Sequence, residues 1–105
     1  MTCRSINETQ ALAILRILYE ECRMRPTADN GDAFVQHIVV EPGQDARGCG
    51  EYRFMGALGF GGKFRNNGNN NNTPYVDCYG EDETAQRREM INRANARIAA
   101  LFGGK

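Results

Sequence analysis

Residues 51–58 read EYRFMGAL, and this stretch decides the fold of the chain. Tyr52, Phe54 and Leu58 alternate with Arg53, Met55 and Ala57. Such alternation is typical of a strand with one buried and one exposed face. The stretch therefore predicts a sheet whose open face carries Arg53.

Three further stretches extend this sheet in both directions. Residues 33–40, AFVQHIVV, are rich in β-branched and aromatic side chains and predict a strand upstream. Downstream, residues 63–65 return to an extended path after several glycines, and residues 75–79, YVDCY, predict a third strand. Between them, residues 66–72 (NNGNNNN) lack an apolar anchor and predict a loop tip that is dispensable for folding.

An amphipathic helix is expected at each end of the chain. Ser5 and Glu8 have the spacing of a capping box, and the helix that follows should end before Pro26. Asp82 is the expected N-cap of the last helix, and Gly103 is its expected C-terminal stop. The apolar stripes of the two helices recur at three- and four-residue steps and comprise Ala11, Ile14, Leu15, Leu18, Cys22, Ile91, Ala94, Ile98, Leu101 and Phe102.

These elements predict an α+β fold in the order helix, three-stranded antiparallel sheet, helix. Strands joined in sequence pair most simply as a meander, and both helices then cover one face of the sheet. A length of 105 residues is typical of a single domain, here residues 1–105. The uncovered face is expected to bind a partner or a second copy of the chain.

Composition excludes several classes of function. The 13 basic residues are balanced by 13 acidic ones, which argues against direct nucleic-acid binding and gives no whole-chain positive field. The four cysteines include no Cys-x-x-Cys pair, so we expect reduced thiols and no metal or cofactor. No secretory leader or membrane-spanning stretch is recognisable, so a cytoplasmic location is expected.

The sequence offers no catalytic constellation, and we expect no enzyme activity. His37 is the only histidine and is expected within a strand, and Ser5, the only serine, is assigned to a helix cap. A Ser-His-Asp assembly is therefore not supported. The acidic run at residues 81–83 is better explained by the electrostatics of a helix start.

The glycine-rich stretch at residues 59–63, GFGGK, leaves two interpretations open. Glycines expose backbone N–H groups and lysine supplies charge, so Gly61, Gly62 and Lys63 form a candidate anion-binding site. The spacing does not match a phosphate-binding P-loop, because Ala57 and Phe64 occupy positions where that loop has Gly and Ser or Thr. The alternative is a structural bend.

Three stretches of the second half resemble small bacteriophage proteins of unassigned function. They are residues 59–64 (GFGGKF), 75–84 (YVDCYGEDET) and 95–98 (NARI). The phage proteins often have proline where this chain has Gly80, and their central loop is shorter. The resemblance implies a phage or prophage origin. Small phage proteins that lack an active site often inhibit a host defence protein by binding it, as anti-CRISPR proteins do.

The leading functional expectation is therefore a phage-encoded inhibitor that occludes a surface of a host defence protein. The expected contact residues lie on the open face and the adjoining loop and are Tyr52, Arg53, Lys63, Arg65 and Tyr75. Two alternatives stay open: a small nucleotide- or anion-binding module, and a phage structural or assembly protein.

Overall fold

The computed structural model describes residues 4–25, 30–42, 51–56, 61–66, 73–78 and 84–103. Its elements are helices α1 (Glu8–Glu21), α2 (Asp32–Ile38) and α3 (Ala85–Leu101) and strands β1 (Glu51–Met55), β2 (Gly61–Arg65) and β3 (Tyr75–Cys78). The strands pair antiparallel in the order β1-β2-β3. The predicted α+β class with a three-stranded antiparallel sheet is confirmed.

The strand predicted at residues 33–40 is wrong, because most of this stretch forms α2. Its buried side chains, Phe34, Val35 and Ile38, follow the spacing of a helix face, whereas Gln36 is exposed. β-Branched residues lower helix propensity only slightly, and packing of the Phe34 and Ile38 side chains into the core outweighs that preference. Only Val40, beyond the helix, makes a β-type contact, an antiparallel bridge to Ile6.

The sheet still has three strands because β2 takes part in it, although the sequence predicted β2 only as a return to extended structure at residues 63–65. β1 is shorter than the predicted strand and ends at Met55, after which Gly56 forms an isolated bridge with Met24. Residues 57–60, together with Tyr79, lie outside the described residues.

The cap of α1 lies two residues later than predicted. The Asn7 side chain accepts a hydrogen bond from the Gln10 backbone N–H at 2.8 Å, and the Gln10 side chain accepts one from the Asn7 N–H at 3.0 Å. Ser5 does not cap this helix, because Ile6 is held extended by two backbone hydrogen bonds to Val40. The helix ends at Glu21, with its stop at Cys22 rather than next to Pro26.

The cap of α3 is also displaced. Thr84 accepts a hydrogen bond from the Arg87 N–H at 3.1 Å, so Asp82 is not the N-cap, and residues 79–83 lie outside the described part of the chain. At the other end, Gly103 has a φ of 106°, a left-handed conformation that favours glycine. The predicted glycine stop is confirmed.

The helices and one face of the sheet enclose the core. α3 lies against β3, α2 lies against β1, and α1 packs on α3 and α2. The core side chains from the sheet are Phe54, Phe64 and Val76, and the helices contribute Ala11, Ile14, Ile17, Leu18, Phe34, Val35, Ile38, Ile91, Ala94 and Ile98. No helix in the described part of the chain is long and apolar enough to span a membrane.

Asn66 corrects the prediction that residues 66–72 form a dispensable loop tip. Its side chain is fully buried, and its amide nitrogen donates a hydrogen bond to the Arg4 carbonyl at 2.9 Å. Asn66 thus ties the end of β2 to the segment preceding α1. The remaining residues of the tract, 67–72, lie outside the described ranges.

Asn95 of α3 pairs with the backbone of β3 as another peptide group would. Its side-chain oxygen accepts a hydrogen bond from the Val76 N–H at 2.8 Å, and its amide nitrogen donates one to the Val76 carbonyl at 3.0 Å. Val76 is buried, so these groups would otherwise lack solvent as a partner. Asn95 therefore fixes α3 against the sheet.

Replacing Asn95 with alanine should destabilise the fold. Two hydrogen bonds are lost and the buried Val76 peptide groups are left unsatisfied, so we expect a loss of about 2 kcal/mol and a fall in melting temperature of about 10 °C. A circular dichroism melt measures the effect. Asn92→Ala, an exposed position on the same helix, is the matched control. Equal melting temperatures for the two variants would show that the Asn95 bonds contribute little.

Candidate functional site

The two faces of the sheet differ sharply in chemistry. The inner face, which packs on the helices, carries Tyr52, Phe54, Gly62, Phe64, Val76 and Cys78. The outer face is defined by the residues of the opposite parity, which are Glu51, Arg53, Met55, Gly61, Lys63, Arg65, Tyr75 and Asp77. Every outer-face residue is at least partly exposed. The outer face is therefore charged, whereas the inner face is apolar.

Glu51 is the centre of an ion-pair cluster on the outer face. One carboxylate oxygen, Oε2, lies 2.6 Å from Arg65 Nη2 and 3.8 Å from Lys63 Nζ. The other, Oε1, accepts a hydrogen bond from Arg53 Nε at 3.0 Å. On β3, Tyr75 lies directly opposite Arg65 in the pairing register. One carboxylate thus holds cations from two strands in a fixed arrangement.

The cluster makes the charge of Glu51 favourable for folding. Hydrogen bonds from Arg65 and then from Arg53 lower the pKa of Glu51 below its usual value of 4.5. A carboxyl group whose pKa is depressed in the folded state stabilises that state above its unfolded pKa. This contribution is complete at neutral pH and declines as the pH falls from 4.5 through the folded-state pKa.

The pairing register places two like charges directly opposite each other. Arg53 of β1 faces Lys63 of β2, while Glu51 faces Arg65. Like charges at directly opposed positions destabilise a sheet. Glu51 reduces this repulsion because its carboxylate contacts both Arg53 and Lys63. On the other side, Lys63 faces Asp77 of β3.

The structure brings together four of the five predicted contact residues. Arg53, Lys63, Arg65 and Tyr75 share the outer face. Lys63 and Arg65 lie in the central strand of the sheet and not in the loop that adjoins it. Tyr52 is separated from the other four, because it lies on the inner face with its ring edge-on to Phe34 at 4.9 Å between centroids.

Gly62 belongs to the packing of the inner face. A Cβ atom at this position would lie 2.3 Å from Cζ of Phe54, the residue directly opposite in β1. Gly62 also lies in the central strand, paired with Phe54 on one side and Cys78 on the other. The aromatic ring therefore requires a glycine here. Of the candidate anion-binding residues Gly61, Gly62 and Lys63, only Lys63 presents a charged side chain on the outer face.

Two of the four cysteines and the histidine lie within the described residues, in the protein interior or near it. Cys22 is fully buried, and burial raises the pKa of its thiol to about 12, whereas Cys78 is partly buried; neither cysteine forms a disulfide. His37 lies on α2 rather than in a strand, and its ring is edge-on to Tyr52 at 5.2 Å. Cys3 and Cys49 lie outside the described residues, within which no group of His, Cys, Asp or Glu has the arrangement of a metal site.

A second surface feature is a shallow groove of about 300 Å³ between α1 and α3. Ile17 and Leu101 contribute its apolar lining, and Arg16 and Arg97 contribute its charged lining. Arg97 donates hydrogen bonds to Glu20 at 2.7 Å and to Glu21 at 2.9 Å. Its charge is thus compensated by α1, so Arg97 joins the two helices.

The sequence reasoning missed Glu51 and Asp77, the two carboxylates of the outer face. Glu51 has the same parity as Arg53, two positions away, so strand alternation alone would have placed it beside the predicted site. The contact of Glu51 with Arg65 could not be predicted from the sequence, because it depends on the register between β1 and β2. The sequence had not identified β2 as a full strand.

Gly62→Ala should destabilise the protein by about 1–3 kcal/mol, because the added methyl group overlaps the Phe54 ring. Combining it with Phe54→Leu should give a loss smaller than the sum of the two single losses. Urea unfolding of the three variants completes this double-mutant cycle. Additive losses, or an unaffected Gly62→Ala protein, would mean that the glycine is not required by the ring.

Alkylation with iodoacetamide at pH 8 should leave Cys22 unmodified in the folded protein. The thiol is buried and its high pKa keeps it protonated, whereas the thiolate is the reactive form. After unfolding without reductant, all four cysteines should be labelled, as peptide mass mapping will show. Modification of Cys22 at the same rate in both states would contradict its burial, and fewer than four free thiols would indicate a disulfide.

Similarity to known proteins gives no information on the function of the outer face. Comparison with protein-family models, curated proteins and solved structures finds no match to this chain. The phage resemblance of the second half therefore stays a prediction. The contacts of the outer face are therefore the observations that bear on function.

Proposed function

We propose that this chain is a non-catalytic binding protein that inhibits a host protein by covering one of its surfaces with the outer face of the sheet. The observation that carries the proposal is the concentration of Arg53, Lys63 and Arg65 on that face, with Arg53 directly opposite Lys63. The partner surface would be acidic. Arg65 and Tyr75 are of the residue types that dominate the energetics of interfaces.

The like-charge pair supports a functional role, because it does not serve the stability of the sheet. An opposed pair of opposite charge would stabilise β1 and β2, whereas Arg53 and Lys63 repel each other. Departures from such local rules are expected at functional sites, where stability is traded for binding or catalysis. In a chain with no net charge, the clustered cations also give this small surface a positive charge.

The size of the sheet limits what it binds alone. A sheet of three strands of about five residues measures about 16 Å by about 14 Å. The area of this face is well below the ~800 Å² that each partner contributes to a stable interface. Segments bordering the face must therefore contribute to a stable complex. The stretch of residues 59–75, which includes β2, is the expected contributor.

The host partner is proposed to be a component of a defence system in the cytoplasm of a bacterial cell. The resemblance of residues 59–64, 75–84 and 95–98 to small phage proteins supports this choice. Occlusion of a surface needs no catalytic group. The cation cluster would bind acidic groups on the target and so block their contacts with other molecules.

Binding of a small anion is the second candidate, and one observation favours it. Lys63 and Arg65 converge on the same Glu51 oxygen, as a site for a phosphate or carboxylate would require. Glu51 already supplies an anion at that point, which argues for the larger acidic surface as the ligand. Calorimetric titration with inorganic phosphate or ATP distinguishes the two, because only the second candidate predicts saturable binding of either.

Neutralising two of the three cations of the cluster should weaken capture of the partner. We expect Lys63→Gln with Arg65→Gln to weaken binding about thirtyfold, which corresponds to a loss of about 2 kcal/mol. Proteins retained from bacterial lysate by the tagged wild type are identified by mass spectrometry, and affinity for the purified partner is then measured at two salt concentrations. Glutamine is used because charge reversal would place a carboxylate opposite Glu51 and Asp77.

Arg16→Gln with Arg93→Gln is the matched control, with the same change in charge at two exposed positions on α1 and α3. This variant should bind the partner as the wild type does. Circular dichroism melts establish that both variants are folded. Unchanged affinity in the Lys63 and Arg65 variant, or an equal loss in both variants, would eliminate the outer face as the binding surface.

A further inference from the structure

Glu51 and Asp77 offset most of the positive charge on the outer face. Within the described residues, that face carries three cations and two carboxylates, which leaves a net charge of one. Glu51 contacts all three cations, at 2.6, 3.0 and 3.8 Å. Loss of the Glu51 charge alone would therefore raise the net charge of this face from one to two.

Glu51 is less exposed than the two arginines that it holds. Its side chain is 22% exposed, compared with 61% for Arg53 and 39% for Arg65. A partner that approaches the face meets the guanidinium groups first and the carboxylate behind them. An isolated acidic side chain can contact one guanidinium from outside while Glu51 stays in place.

A nucleic-acid strand differs from a single acidic side chain in the number of charges that it presents to this surface. Its phosphates follow one another along the backbone, and its non-specific affinity grows with the number of phosphates that are neutralised. With Glu51 present, a net charge of one neutralises about one phosphate, whereas two would be neutralised without it. Tyr75, beside Arg65, would then also offer a ring on which a base can stack.

We propose that Glu51 is a specificity-determining residue, which keeps this cationic surface selective for acidic protein groups by weakening its attraction for nucleic-acid backbones. The inference rests on the proposed function in that it takes the outer face as the docking surface. It accounts for an arrangement in which a chain displays three clustered cations and yet holds a carboxylate among them.

The test is binding of a fluorescein-labelled 20-nucleotide single-stranded DNA, followed by fluorescence anisotropy. Glu51→Gln should bind about eightfold more tightly than the wild type in 50 mM salt, which is the gain expected from one additional phosphate contact. The slope of log affinity against log salt should steepen from about −0.7 to about −1.4. Adding Lys63→Gln and Arg65→Gln to the Glu51→Gln protein should remove the gain.

Glu89→Gln is the matched control, because Glu89 also pairs with an arginine but lies on α3, at an exposed i,i+4 position. It should leave DNA binding unchanged, and Glu51→Asp, which retains the charge, should also resemble the wild type. Glu51→Thr makes the same charge change with a residue that suits a strand, so the test does not depend on the folding of Glu51→Gln alone.

Two results would overturn the inference. One is a gain below twofold for both neutral Glu51 variants relative to Glu89→Gln, and the other is a gain that persists after Lys63→Gln and Arg65→Gln are added. The second result would place the DNA-binding site outside the outer face. Loss of partner capture in the Lys63 and Arg65 variant is measured separately, so failure of this inference is distinguishable from failure of the proposed function.

Discussion

The packing of the Phe54 ring over Gly62 is the constraint on which the rest of the structure depends. The ring fills the space of a side chain that Gly62 lacks, so β1 and β2 fit together in one register. A shift of one residue would turn every side chain of the strand to the opposite face. The same contact therefore buries Phe64 inside and places Arg53 beside Lys63 outside. Core packing and surface charge are consequences of one alignment.

The outer face shows how a stable fold can carry an unfavourable charge pattern. The apolar contacts of the inner face and the three helices hold the strands together, so the repulsion between Arg53 and Lys63 is tolerated. Glu51 then reduces that repulsion and orients both arginines through its two oxygens. The resulting surface is organised by contacts within the chain itself. Preorganised side chains lose less conformational freedom on binding, which is an advantage for a small interface.

How much of this was predictable from the sequence differs between elements. The apolar stripes of α1 and α3 were sufficient to predict two helices. The alternation at Tyr52, Arg53 and Phe54 was sufficient to predict a strand, because both patterns follow directly from which side chains are buried. The stretch at residues 33–40 misled, since its β-branched composition indicates a strand while Phe34 and Ile38 pack as helix neighbours. Glu51 and Asn66 could not have been assigned their partners, Arg65 and Arg4, because those contacts join residues distant in sequence. Long-range register determines the site, and a single sequence does not display it.

Asn95 has a consequence for how this sheet can meet other molecules. An edge strand with unsatisfied N–H and C=O groups is a template on which another chain can add a strand, and such addition leads to domain swapping or fibrils. At β3, the Val76 amide and carbonyl are both engaged by Asn95, and the Cys78 N–H donates to the Asp77 side chain at 2.8 Å. Strand addition along β3 would have to break these bonds first. The chain is thus protected at this edge against polymerising through its own β-structure.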